Sequence, residues 1–169
     1  MATHSISVLG AATLPDTSGN VYFEPAAVNF QANDRYPGLV AVFKDTATRD
    51  KLGFAFHVPP DYASSAVIRI IWATTATSGN ARWETDYTAI ADGESGDPSS
   101  DQESVGSTVA APGTARLLKY TDLSLTAGNF SAGDTVQGVI ARDGAEAGPA
   151  DTIAASLYVY DVQFRYADV

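Results

Sequence analysis

Strict two-residue alternation of apolar side chains constrains this chain more than any other feature. From Lys51 to Val58, the residues Leu52, Phe54, Phe56 and Val58 fall on one side, and Lys51, Gly53, Ala55 and His57 fall on the other. A period of two sends successive side chains to opposite faces of a strand; it cannot lay one apolar stripe along a helix. Pro59-Pro60-Asp61 ends the run, because proline has no N–H to give to a ladder. From Ser65 to Trp72, the residues Ala66, Ile68, Ile70 and Trp72 share one face. The opposite face carries Val67, Arg69 and Ile71, which predicts a strand covered on both sides. After a turn signal at Ser78-Gly79-Asn80, Trp83, Thr85, Tyr87 and Ala89 alternate with Arg82, Glu84, Asp86 and Thr88. The spacing predicts that these last two segments pair antiparallel, with both tryptophans in one core.

The rest of the chain carries the same signature. Further strands are expected at Val105 to Ala111, Arg116 to Leu125, Thr135 to Arg142 and Thr152 to Tyr166. In the last of these, Val162, Phe164 and Tyr166 alternate with Asp161, Gln163 and Arg165, and Tyr158 and Tyr160 flank Val159, which predicts an aromatic face along its length. Before residue 50, short candidates at Ile6 to Leu9, Val21 to Phe23, Val28 to Phe30 and Leu39 to Phe43 are broken by Pro15, Gly19-Asn20, Pro25 and Pro37-Gly38. The expected fold is all-β: an antiparallel β-sandwich, jelly-roll-like, of about eight to ten strands. Residues 1–50 are expected to form an N-terminal arm and edge strands, and 51–169 the sandwich core.

Charge narrows the partners. The 169 residues hold 20 acids and 10 Lys or Arg, a net charge of -10, with no basic stripe. Such a surface repels phosphate backbones and anionic membranes, so neither nucleic acid nor membrane is an expected partner. The N-terminus lacks a basic segment followed by an apolar one, and no secretory signal is expected. With no cysteine, disulfides and zinc–thiolate sites are excluded.

Catalytic chemistry finds little to work with. A Ser-His-Asp site would have to use His4 or His57. Glu84 and Asp86 share a strand face, as a glycosidase pair would, but Arg82 on the same face can neutralise them. The loop Asp92 to Ser104 carries Asp92, Glu94, Asp97, Asp101 and Glu103, without the spacing of an EF-hand, and reads as a solvated loop. Trp72 and Trp83 read as core residues; the competing reading is a sugar platform. No catalytic, cofactor-binding or metal-binding residue is assigned, and no cofactor is expected. Tyr158, Tyr160, His57 and Arg69 are the candidate interface residues, tyrosine being amphipathic and frequent where proteins meet.

The run Phe54-Ala55-Phe56-His57-Val58-Pro59-Pro60-Asp61-Tyr62, the strand to Trp72, the Ser78-Gly79-Asn80 turn, Trp83-Glu84, Arg142-Asp143 and Asp151-Thr152 resemble small β-sandwich virion proteins of tailed bacteriophages. The resemblance covers about Leu52 to Asp168 and rests on structural motifs. It implies a non-enzymatic capsid decoration (cement) protein on the outer shell of the virion, made in the host cytoplasm. The implied partners are the major capsid protein and the chain itself as a homotrimer. The alternative is a tail-fibre or neck module that binds host glycans or another virion protein.

Overall fold

The computed structural model describes residues 1–9, 21–25, 39–144 and 151–169. The candidate strand Val28 to Phe30, with Pro15, Gly19-Asn20 and Pro37-Gly38, lies outside them. The described residues form ten strands: β1 (Thr3–Ser7), β2 (Val21–Pro25), β3 (Leu39–Phe43), β4 (Arg49–His57), β5 (Tyr62–Thr74), β6 (Asn80–Ile90), β7 (Glu103–Ala110), β8 (Lys119–Ser124), β9 (Thr135–Asp143) and β10 (Leu157–Asp168). The only helical element among them is a single 3₁₀ turn at Ala127–Asn129.

Two antiparallel sheets face each other. The six-stranded sheet runs β2-β3-β10-β5-β8, with β1 also on β10, and the four-stranded sheet runs β4-β9-β6-β7. Only β2–β3 and β6–β7 are hydrogen-bonded neighbours that also follow one another in the chain. From β3 onward the chain otherwise crosses from sheet to sheet, which is the connectivity of a jelly-roll sandwich. β1, β2 and β3, all from the first fifty residues, take places in the sheet that contains β10, and residue 50 itself lies inside β4.

The alternation that marks the strands also fills the core. Leu52, Phe54, Phe56 and Val58 from β4 and its end meet Ala66, Ile68, Ile70 and Trp72 of β5, with Trp83, Tyr87 and Ala89 of β6, in one buried cluster. Phe56 and Phe164 meet as tilted rings at 4.7 Å between centroids, and Tyr87 stacks on Phe130 at 5.0 Å. Each fully buried side chain of this size contributes about 1.5–3 kcal/mol by leaving water.

Two expectations change. β5 and β6 do not pair: β5 lies between β10 and β8, and β6 between β9 and β7. Trp72 and Trp83 do share one core, 5.9 Å apart, but they meet across the gap between the sheets. The Ser78-Gly79-Asn80 turn carries the chain from one sheet to the other. Gly79 adopts φ +94°, and a Cβ there would stand 2.8 Å from the Thr152 carbonyl oxygen, so the crossing needs glycine.

The second change is in β10. Its register against β5 slips between Val159 and Asp161, a β-bulge that turns Tyr160 and Asp161 outward together. Before the bulge the even residues Tyr158 and Tyr160 pack with Val40 and Val42 on the outer face. After it the even residues Val162, Phe164 and Tyr166 point into the core. The expected continuous aromatic face is therefore two half-faces on opposite sides of the sheet.

Candidate functional site

The outer face of the four-stranded sheet is built in rows set by register. Gly53, Val139, Asp86 and Ser104 stand side by side; the next row is Ala55, Gln137 and Thr88, and the row on the other side is Lys51, Ala141, Glu84 and Gly106. Glycine and alanine on β4 keep this face low, while β6 raises a line of polar side chains.

Arg49 organises one end. From β4 it reaches across β9, placing Nε 2.7 Å from Glu84 Oε2 and Nη1 2.7 Å from Asp86 Oδ2. Arg82 Nη2 donates to Glu84 Oε1 at 3.1 Å, and Ser104 Oγ donates to Asp86 Oδ1 at 2.6 Å. Burial pushes the Asp86 carboxyl up, but hydrogen bonds from Arg49 and Ser104, with the Arg49 and Lys51 charges, outweigh it and hold Asp86 below the ordinary carboxylate range. Burial likewise opposes the Arg49 charge, and its two carboxylates more than offset that.

Beyond this network the face opens into a groove of about 290 Å³, lined by Lys51, Asp86, Thr88, Asp101 and Gln137 with Gly138 and Pro98. The loop between β6 and β7 forms its far wall and is tied down. Gln102 N–H donates to the Tyr87 carbonyl at 2.9 Å, Ala89 N–H donates to Gln102 Oε1 at 3.0 Å, and Ala91 N–H donates to Glu94 Oε2 at 2.9 Å. At the floor, a Cβ on Gly138 would stand 2.6 Å from the Phe54 ring and 2.8 Å from the Asp86 carbonyl oxygen. The core ring occupies that space, so the strand sits low. The exposed carboxamide of Gln137 has no hydrogen-bond partner among the described residues and is open to a ligand. The loop acids do not converge: among the described residues no group of three or more His, Asp or Glu is placed to hold a metal ion.

The four candidate interface residues are not brought together. His57 is exposed at the end of β4, with Nδ1 3.2 Å from Thr135 Oγ1, on the four-stranded sheet. Arg69, Tyr158 and Tyr160 belong to the outer face of the other sheet. There Arg69 donates to both oxygens of Asp122, at 2.6 and 2.7 Å, and lies 5.5 Å from the centroid of the Tyr120 ring. Trp72 and Trp83 are fully buried, so neither offers a platform. His4 pairs with Asp168 at 3.1 Å on the six-stranded sheet, far in the fold from Glu84 and Asp86. Arg49, Lys51 and Gln137 were not picked out in the sequence, because what joins them to Asp86 is a register across three strands.

No protein-family model matches the chain, and no curated protein matches its sequence. Several solved structures share the fold. The Cry4Aa mosquito-larvicidal toxin from Bacillus thuringiensis aligns over 99% of this chain and 24% of its own, with TM-score 0.58 and 13% identity; this chain spans about a quarter of that toxin. The CBM22-1 xylan-binding domain of Paenibacillus barcinonensis Xyn10C aligns over 99% of this chain and 94% of its own, with TM-score 0.52 and 11% identity. A family 35 carbohydrate binding module from Clostridium thermocellum aligns over 97% and 98%, with TM-score 0.51 and 12% identity. At these identities the likeness is one of fold: a β-sandwich of the jelly-roll kind.

Proposed function

We propose that this chain is a non-catalytic binding module that takes a short, neutral, hydroxyl-rich glycan in the groove on the outer face of the four-stranded sheet. The observation that carries the reading is the groove itself. Its walls carry Lys51, Asp101, the Asp86 carboxylate held by Arg49 and Ser104, the Thr88 hydroxyl bonded to Ser100 and Gln102, and the Gln137 carboxamide, the last without a partner among the described residues. Mixed donors and acceptors over a low floor suit sugar hydroxyls, each of which both gives and accepts a hydrogen bond. The volume is at the small end for a ligand site, which favours one or two sugar rings over a long chain. Two of the similar sandwiches are carbohydrate-binding by name, which makes glycans the class to test first.

The surroundings of Glu84 and Asp86 support a reading of binding without hydrolysis. A glycosidase needs one carboxyl that keeps its proton until the leaving group takes it. Asp86 is held ionised, and Glu84 lies between Arg49 and Arg82. Nothing in this arrangement favours the capsid-decorating role, the virion location or the capsid-protein partner implied by the resemblance.

The test is calorimetric titration of the chain with neutral oligosaccharides chosen from a glycan array. Gln137→Ala should weaken the best ligand by about two- to tenfold, the worth of one ordinary hydrogen bond. An array with no ligand, or a ligand indifferent to both Gln137→Ala and Thr88→Ala, overturns the reading. Hydrolysis of a bound glycan that Glu84→Gln abolishes would replace it with an enzyme.

A further inference from the structure

The six-stranded sheet ends in an open edge. Leu125 N–H donates to the Ala66 carbonyl at 2.9 Å, and Ser124 stands opposite Val67 in the adjoining register. Alternation along an antiparallel pair then turns the backbone groups of residues 119, 121 and 123 toward β5, and those of Tyr120, Asp122 and Ser124 away from it. No described strand pairs with β8 on that outer side. An unpaired row of N–H and C=O groups is a template for another strand. Its surroundings are apolar: Leu117, Leu118 and Tyr120 are 53, 51 and 56% exposed, and Ile71 stands opposite Tyr120. Large apolar side chains grouped in water mark a surface that is covered in use.

We infer that β8 joins two copies of this chain edge to edge, antiparallel about a two-fold axis near Thr121, so that their six-stranded sheets become one continuous sheet. The order of charges selects a second copy as the occupant. Along the segment Arg116 and Lys119 come first and Asp122 follows. Beyond it sits Glu103, whose carboxylate accepts from Thr126 N–H at 2.9 Å and Thr126 Oγ1 at 2.8 Å. About an axis at Thr121 residue 116 falls opposite residue 126, so Arg116 meets the partner's Thr126 with the Glu103 bonded to it, Lys119 falls opposite the partner's Leu123, and the two-fold axis repeats the match. On the outer face Tyr120 comes beside the partner's Asp122, already held by Arg69. A chain of net charge -10 resists self-association over most of its surface. Around β8 the balance differs, with Arg69, Arg116, Lys119 and Arg165 against Asp122, Asp161 and Glu103. An isologous contact of this kind closes at two copies.

Light scattering on the purified chain tests this. The wild type should show twice the chain mass, and Leu118→Asp and Lys119→Glu should each shift it to the single mass or weaken association at least tenfold. Circular dichroism and the emission of buried Trp72 and Trp83 check that the variants stay folded. A wild type that stays monomeric at the highest soluble concentration, a three-copy assembly, or a dimer untouched by both substitutions in folded protein overturns the inference. The groove lies on the other sheet, so Gln137→Ala should leave the mass unchanged, and loss of glycan binding alone does not bear on this contact.

Discussion

Arg142 on the inner face of the four-stranded sheet and Arg49 on its outer face are used in opposite ways. Arg142 points inward from β9 and is saturated. It donates to both Asp151 oxygens at 2.7 and 2.8 Å and to the carbonyls of Lys44, Ala155 and Ile153 at 3.0, 2.8 and 2.5 Å. Arg142 and Asp151 side chains are each 2% exposed. Arg49 lies on the outer face, half-buried, and holds two carboxylates beside a groove in which the Gln137 carboxamide has no partner among the described residues. A charge with every proton committed can only hold a structure together. A charge network that stops short of the next residues leaves them for a ligand. The difference separates scaffold from site within one sheet.

The largest effect should come from breaking the inner network. Arg142→Met leaves the Asp151 charge buried without its partner, and should lower the unfolding free energy by about 3–5 kcal/mol in urea titration. The parallel change outside, Arg49→Met, should cost less, about 1–3 kcal/mol, because Glu84 keeps Arg82 and Asp86 keeps the Ser104 hydroxyl. Equal losses would break the distinction between the faces. Gly138→Ala probes the sheet between them: its methyl meets the Phe54 ring, so overpacking should cost about 1–3 kcal/mol. It should also lift the groove floor and weaken the glycan.

A smaller effect concerns pH. The folded-state pKa of Asp86 is depressed, so its contribution is fully present above the unfolded carboxylate value, about 3.9, and is lost as pH falls through the lower folded value. Arg49→Met removes a hydrogen bond and a charge that lower this pKa, so the variant's stability should fall less steeply in acid than the wild type's. Parallel acid curves for the two proteins would mean that Arg49 does not control Asp86. The smallest change in stability is expected for Gln137→Ala, within about 0.5 kcal/mol, since this exposed carboxamide holds nothing in the fold.

The faces of the strands were legible because alternation is local. Leu52 to Val58, Ala66 to Trp72 and Trp83 to Ala89 each show which side is buried without reference to any other strand. Pairing is not local. β5 and β6 look like neighbours in sequence, and only the crossing at Gly79 separates them into facing sheets. The bulge at Tyr160 was hidden for another reason. Aromatic residues occupy the even positions on both sides of it, so the pattern shows no break where the faces exchange. Of the site, Glu84 and Asp86 could be read as a pair sharing a face. The arginine that neutralises both comes from a strand two places away in the sheet, and Gln137 and Lys51 gain meaning only beside them.

The most direct measurement is a backbone amide titration by NMR with the best oligosaccharide from the array. Shifts confined to Lys51, Asp86 to Thr88, Asp101 and Gln137 to Val139 are the predicted result. Shifts that instead gather on Arg69, Tyr120 and Tyr158, or no response from the groove at saturating sugar, would contradict the assignment of ligand binding to the four-stranded sheet.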